Sequence, residues 1–129
     1  HIGMKVTDAD NQVTTNLEYP VTEQAVSSET SALMRDLLES VVAEGGGSKA
    51  QVEGYRIGGK TATSEKYPRG TGKYISSFIG FAPAYDPQIM AFVMIDEPMG
   101  IYYGGTIAAP VVQEVFFNIL PYLGIQKEE

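Results

Sequence analysis

The sequence predicts an α+β fold, an antiparallel sheet with flanking helices. Three observations carry this expectation. Two runs, within residues 33–42 and 111–123, repeat apolar residues at helical spacing. Between them lie three runs of strand character, two of them separated only by Ala84-Tyr85-Asp86-Pro87, which is too short for a crossover and makes them antiparallel neighbours. The chain has 129 residues, 43% of them hydrophobic, enough for one modest core.

Each element follows in order. Met4-Lys5-Val6-Thr7 and Gln12-Val13-Thr14-Thr15 flank the turn-rich Asp8-Ala9-Asp10-Asn11 and read as a strand pair. Residues 20–26 form a connector. Ser27 or Ser28 caps the first helix, and Glu29 sits at its positive end. Leu33, Met34, Leu37, Leu38, Val41 and Val42 form its apolar stripe, read as core, and Gly45-Gly46-Gly47 terminates it. Residues 52–64 form the next strand, with a break near Gly54. Residues 65–72 are a loop. Residues 74–82 carry apolar groups on both faces and are expected at the sheet's centre. Residues 89–95 are almost wholly apolar and are also expected to be buried on both sides. The last helix begins near Ala108 with Pro110 in its first turn, carries the stripe Val111, Val112, Val115, Phe116, Ile119, Leu120 and Leu123, and ends at Gly124. No repeat or composition shift divides the chain, so residues 1–129 are read as one unit.

Composition excludes several functions. A net charge of −7 and a pI near 4.6 argue against nucleic acid or an anionic membrane surface as a partner. No run approaches the length of a membrane span. Cys is absent and the single His is at position 1, which removes a Cys nucleophile, a His-based dyad and an ordinary zinc site.

The most informative segment is Gly58-Gly59-Lys60-Thr61-Ala62-Thr63-Ser64. Alternation puts Lys60, Ala62 and Ser64 on one face, and Thr61 and Thr63 on the other. So little bulk is poor core material, but it lets a ligand or another backbone approach closely. Taken alone, such a lysine reads as a solvated edge charge.

The flanking order changes that reading. Lys73-Tyr74-Ile75-Ser76-Ser77-Phe78-Ile79-Gly80-Phe81-Ala82-Pro83 is followed by Ile89-Met90-Ala91-Phe92-Val93-Met94-Ile95-Asp96-Glu97-Pro98, then Tyr102-Tyr103-Gly104-Gly105 and Ala108-Ala109-Pro110. From about Val6 to Ile125 the chain resembles the C-terminal part of the transpeptidase domain of class B penicillin-binding proteins, serine acyltransferases that cross-link peptidoglycan. Lys60, Thr61 and Ala62 match the family's Lys-Thr-Gly motif, and Thr63 the hydroxyl residue after it.

The resemblance implies that this strand, with Gly59, edges the cleft and pairs with the stem peptide as an added strand. Thr61 and Thr63 would bind the terminal carboxylate of D-Ala-D-Ala or of a β-lactam. The Thr63 N–H would be an oxyanion donor, and Lys60 would set a positive field over the reacting groups. No metal or organic cofactor is implied.

Two departures matter. Ala62 replaces the usual glycine, and its methyl is expected to narrow the cleft. No serine lies three residues before a lysine, and no serine or tyrosine two before an asparagine, so S-x-x-K and the second family motif are missing from these residues. The expectation is a C-terminal portion of one transpeptidase domain that lacks the nucleophile and is inactive alone. It would need the N-terminal half of the domain, or a self-associated copy, as a partner. The implied parent is tethered by an anchor outside this chain, on the extracytoplasmic side of the bacterial membrane, with division, elongation or sporulation machinery. A β-lactamase or β-lactam sensor, and a non-catalytic binding module, remain as alternatives.

Three further groups read as structural. Asp96 and Glu97 are strand-end neighbours expected to point to opposite faces. Lys66, Arg69 and Lys73 form a solvated basic loop. Tyr102-Tyr103-Gly104-Gly105 allows tight passage into the last helix, with a cleft wall as its functional alternative.

Overall fold

A computed structural model describes residues 5–18 and 24–128. The elements are β1 (Lys5–Thr7), β2 (Val13–Asn16), α1 (Ser28–Ala43), a 3-10 turn (Ser48–Ala50), β3 (Gly58–Glu65), β4 (Tyr74–Ala82), β5 (Ile89–Asp96), α2 (Gly104–Ile107) and α3 (Ala109–Tyr122). Strands β1 and β2 form a separate, fully exposed antiparallel ribbon. The Asp8 carboxylate holds its turn by accepting from the Asp10 and Gln12 N–H groups at 3.0 and 2.9 Å. Position 4 of the expected first strand and positions 20–23 of the expected connector lie outside the described residues.

The main sheet is antiparallel in the order β3-β4-β5. Strand β4 is central, as its two apolar faces predict. Its Ser76, Phe78, Gly80 and Ala82 face is buried beneath α3, whose Val112, Phe116 and Leu120 are fully buried at i, i+4 and i+8. Phe78 organises this layer. Side chains added at Gly47, Gly59 or Gly80 would each collide with or crowd its ring, the closest being 2.6 Å at Gly59. Helix α3 starts with Pro110 in its first turn. It closes in a Schellman arrangement: Gly124 at φ 73° donates to Pro121, and Ile125 donates to Leu120. Among the described residues no helix is long and apolar enough to cross a membrane.

Several expectations are corrected. Strand β3 begins at Gly58, not at 52: Val52 and Ile57 are buried in irregular chain around Gly54, at φ 83°. That segment is held by Glu128 N–H to Gly54 O at 2.8 Å and Tyr55 Oη to Ile125 O at 3.2 Å. Strand β5 is half-buried on one face, through Ile89, Ala91, Val93 and Ile95, and open on the other: Met90, Phe92 and Met94 are 63%, 59% and 59% exposed, because the helices that cover Phe78 lie on the first face. The stripe of α1 is likewise mostly open. Val42 alone is fully buried in this helix, packing with Phe78 and Gly47. Leu33, Met34 and Leu37 are exposed. Ser27 caps α1, accepting from Thr30 N–H at 3.1 Å, as expected.

Asp96 and Glu97 do converge, against the alternation argument. Glu97 lies past the end of β5 at φ 49°, so strand alternation no longer governs it. Lys66 Nζ reaches Asp96 Oδ1 and Glu97 Oε1, both at 2.9 Å, and Lys73 Nζ reaches Glu97 Oε2 at 3.1 Å. The basic loop is therefore clamped to the end of β5. Beside the clamp, Tyr74 and Tyr102 stack with ring centroids 4.0 Å apart.

Two predictions follow from this packing. Phe116→Ala should cost about 3–5 kcal/mol in urea unfolding, whereas Met90→Ser should stay within about 0.5 kcal/mol. Hydrogen bonds from Lys66, then Lys73, hold the Glu97 carboxyl below its ordinary value of 4.5. Its clamp is therefore complete above that value and is lost as the pH falls through the depressed one. Bonds to Glu97, then Asp96, raise Lys66 above 10.5, so its share is full below that value and is lost as the pH rises through the raised one. Carboxyl NMR titration of Glu97 should show the downward shift, and Lys66→Met should abolish most of it.

Candidate active site

Strand β3 is an edge strand, so one side of its backbone is free of a strand partner among the described residues. Its register places Gly59, Thr61 and Thr63 opposite Gly80, Phe78 and Ser76, and Lys60 and Ala62 opposite Ile79 and Ser77. The two threonines thus share the face that carries α2 and α3. Lys60 starts on the other face but curls back. Its exposed Nζ donates to Thr61 O at 3.0 Å and to Thr61 Oγ1 at 3.4 Å. The ammonium therefore sits over the threonine it precedes.

Two other segments complete a wall around the threonines. Gly46, Ser48 and Lys49, after α1, and Tyr103, Gly104, Gly105 and Thr106, at the start of α2, line a cavity of about 280 Å³ with Thr61 and Thr63. The approach is backbone to backbone. A methyl on Gly104 would fall inside contact distance of the Ser77 and Ala62 carbonyl oxygens, and one on Gly105 would meet the Gly46 oxygen and Thr61 Cγ2. Gly104 N–H donates to Thr63 Oγ1 at 3.1 Å. Two residues earlier in the same segment, the Tyr102 carbonyl accepts from the buried Ser76 hydroxyl.

Of the residues singled out by sequence, Thr61 and Thr63 come together in the cavity, with Lys60 alongside. Gly59 and Ala62 do not line it. Gly59 is buried, and the Phe78 ring fills the place of its missing side chain. Ala62 is exposed on the opposite face. Sequence reasoning missed Gly46, Ser48 and Lys49, because the triple glycine was read only as a helix terminator. It also missed Ser76, although a hydroxyl on the buried face of a central strand is a signal that something polar must meet it. A larger cavity, about 520 Å³, lies between α1 and residues 51–57. It holds no residue of β3, and Arg56 and Glu39 on its lining are paired at 2.5 and 2.6 Å. The small cavity at the threonines is the chemically organised one. No group of three or more His, Cys, Asp and Glu among the described residues could hold a metal ion.

Comparison with known proteins gives the family and the fold. The penicillin binding protein transpeptidase domain family matches residues 1–116. Stage V sporulation protein D of Bacillus subtilis is 45% identical over 98% of this chain, which spans 20% of that protein. The probable peptidoglycan D,D-transpeptidase PenA of Neisseria flavescens is 39% identical over 82% of the chain, which spans 28% of it. Among solved structures, the apo transpeptidase domain of Burkholderia pseudomallei penicillin-binding protein 3 superposes with a TM-score of 0.74 at 36% identity, over 91% of this chain and 37% of that one. The chain thus covers only a fraction of these relatives' length. With an edge strand bearing Lys60-Thr61-Ala62-Thr63, it belongs to the penicillin-binding protein transpeptidase domain family.

Proposed function

We propose that this chain is the C-terminal portion of a peptidoglycan D,D-transpeptidase domain and supplies its substrate-binding strand. The observation that carries the reading is the pair Thr61 and Thr63. They share one face of an edge strand, in a cavity with the cation Lys49 on its lining and Lys60 beside it. Two hydroxyls and two cations suit a carboxylate, the group that ends a D-Ala-D-Ala stem peptide and that β-lactams also carry. The unpaired side of β3 suits an extended peptide, which would add to the sheet as a fourth strand.

In this reading Lys60 and Thr63 act on the reacting groups. Lys60 supplies positive potential, and the Thr63 N–H is an oxyanion donor beside the attacked carbonyl. Thr61 binds the peptide's carboxylate, Ala62 contributes only its backbone to the pairing edge, and Gly59 admits the Phe78 ring that sets the strand's position. The nucleophilic serine and its lysine base come from the upstream half of the domain, because these 129 residues hold no S-x-x-K. Serines 64, 76 and 77 do not replace it: an unactivated serine is a weak nucleophile, and the Ser76 hydroxyl is already committed to Tyr102. The complete enzyme acts on the extracytoplasmic side of the bacterial membrane, where its substrate lies. The open Met90, Phe92 and Met94 face is the surface that the rest of the domain, or a second copy, would cover.

Fluorescent penicillin read on a denaturing gel tests this. The chain alone should give no band at 14.0 kDa, while a protein joining it to an upstream S-x-x-K half should label. A labelled 14.0 kDa band would place the nucleophile within this chain and overturn the reading. In the complete domain, Lys60→Ala should slow acylation by about 10²-fold. The Ala62 methyl points away from the threonine cavity, against the expectation that it narrows the cleft, so Ala62→Gly should leave acylation within about twofold; a faster rate in stopped-flow acylation would show that the methyl does restrict the site.

A further inference from the structure

The segment Tyr102–Gly104 is gripped at both ends by one cross-strand pair. Thr63 of β3 and Ser76 of β4 stand directly opposite each other on the buried face. The Ser76 hydroxyl donates to the Tyr102 carbonyl, and two residues on, the Gly104 N–H donates to Thr63 Oγ1. Ser76 is fully buried, and its bond to the half-buried Tyr102 ties the register of this segment to the sheet. The glycines make the grip possible, since a side chain at 104 would strike the Ser77 and Ala62 carbonyls.

The chemical effect falls on the hydroxyls. A threonine hydroxyl has one hydrogen to donate and lone pairs to accept with. At Thr63 a lone pair is engaged by Gly104 N–H, and at Thr61 one is engaged by the Lys60 ammonium at 3.4 Å. Among the described residues neither hydroxyl donates to a protein acceptor. Both hydrogens are thus left for a ligand, and donation to each oxygen from an N–H strengthens its own O–H as a donor.

From this arrangement we infer that Ser76 and Gly104 are positioning residues for carboxylate recognition: Ser76 fixes the Tyr102–Gly104 segment, whose Gly104 N–H orients the Thr63 hydroxyl as a dedicated donor to the substrate's carboxylate. The inference rests on the proposed role of Thr63 in binding that group. Neither Ser76 nor Gly104 touches the reacting atoms in this scheme.

The test uses a complete transpeptidase domain carrying this chain and compares acylation by a penicillin with that by its methyl ester. The ratio of the two second-order rates reads carboxylate recognition. General loss of structure lowers both rates and leaves the ratio alone. Thr63→Val should reduce the acid-over-ester preference about tenfold, the scale of a hydrogen bond to a charged group. Ser76→Ala should reduce it about threefold to tenfold with little change in the ester rate, and Ser76→Cys, which keeps a weaker donor on a somewhat larger atom, should fall between Ser76→Ala and the parent. If Thr63→Val leaves the preference intact, the carboxylate role of Thr63 fails and the inference with it. If Thr63→Val lowers the preference but both Ser76 variants leave it unchanged, or lower acid and ester rates equally, the inference alone is overturned. Amide exchange gives a second measurement in the same domain. Thr63→Val should speed exchange at Gly104, and an unchanged rate would overturn the inference that Gly104 orients Thr63.

Discussion

Everything in the main sheet depends on where the Phe78 ring can go. It is fully buried at the centre of the middle strand, and the space it occupies is the space that side chains at Gly47, Gly59 and Gly80 would need. These glycines come from three places: the loop after α1, strand β3 and strand β4 itself. One ring therefore sets the distance of the loop and of the edge strand at once, while Val112 and Phe116 of α3 press on Gly80 from above. Interiors pack as densely as organic crystals, so a ring wedged among backbone atoms leaves little freedom to its neighbours. The threonines of β3 inherit that rigidity. Their strand needs no bulk of its own, because its position is determined by a residue on the next strand.

The same logic explains why small residues recur where chemistry is proposed. Gly104 and Gly105 bring the start of α2 against the β3–β4 ladder without an intervening side chain. A cavity walled by backbone is narrow, and the Gly104 N–H that holds the Thr63 hydroxyl is fixed by the fold rather than by a flexible rotamer. Lys60 is the counterpoint. Its stem is exposed and flexible, and its charge is placed by reach rather than by packing.

How much of this was legible in the sequence depended on range. Elements defined by local pattern were read well: the Ser27 cap, the Pro110 start and Gly124 end of the last helix, the antiparallel β4–β5 pair and the central place of β4. Readings failed where the deciding fact was what packs on a surface. The apolar character of Met90, Phe92 and Met94 and of the α1 stripe implied burial, but hydrophobicity reports a need for a partner, not the presence of one among these residues. Asp96 and Glu97 were misread because a single backbone angle at Glu97 cancels strand alternation. The placement of Thr61 and Thr63 in one cavity, with Lys60 alongside, follows from a contiguous motif and strand alternation. Ser76 and Lys49 join them only through register and close approach, which no local pattern encodes, whereas Gly104 lies in the segment read as a tight passage with a cleft wall as its alternative, and it does line the cavity.

The stacked Tyr74 and Tyr102 rings have an optical consequence. The chain has no tryptophan, so its near-ultraviolet signal comes chiefly from its eight tyrosines. One stacked pair bridges β4 and the segment that leads directly to Gly104. Two rings at 4.0 Å couple electronically, and that coupling vanishes when they part. The junction between the central strand and the cavity wall thus carries its own chromophore pair. Movement of the wall becomes visible in circular dichroism without any added label, against a background free of indole absorption.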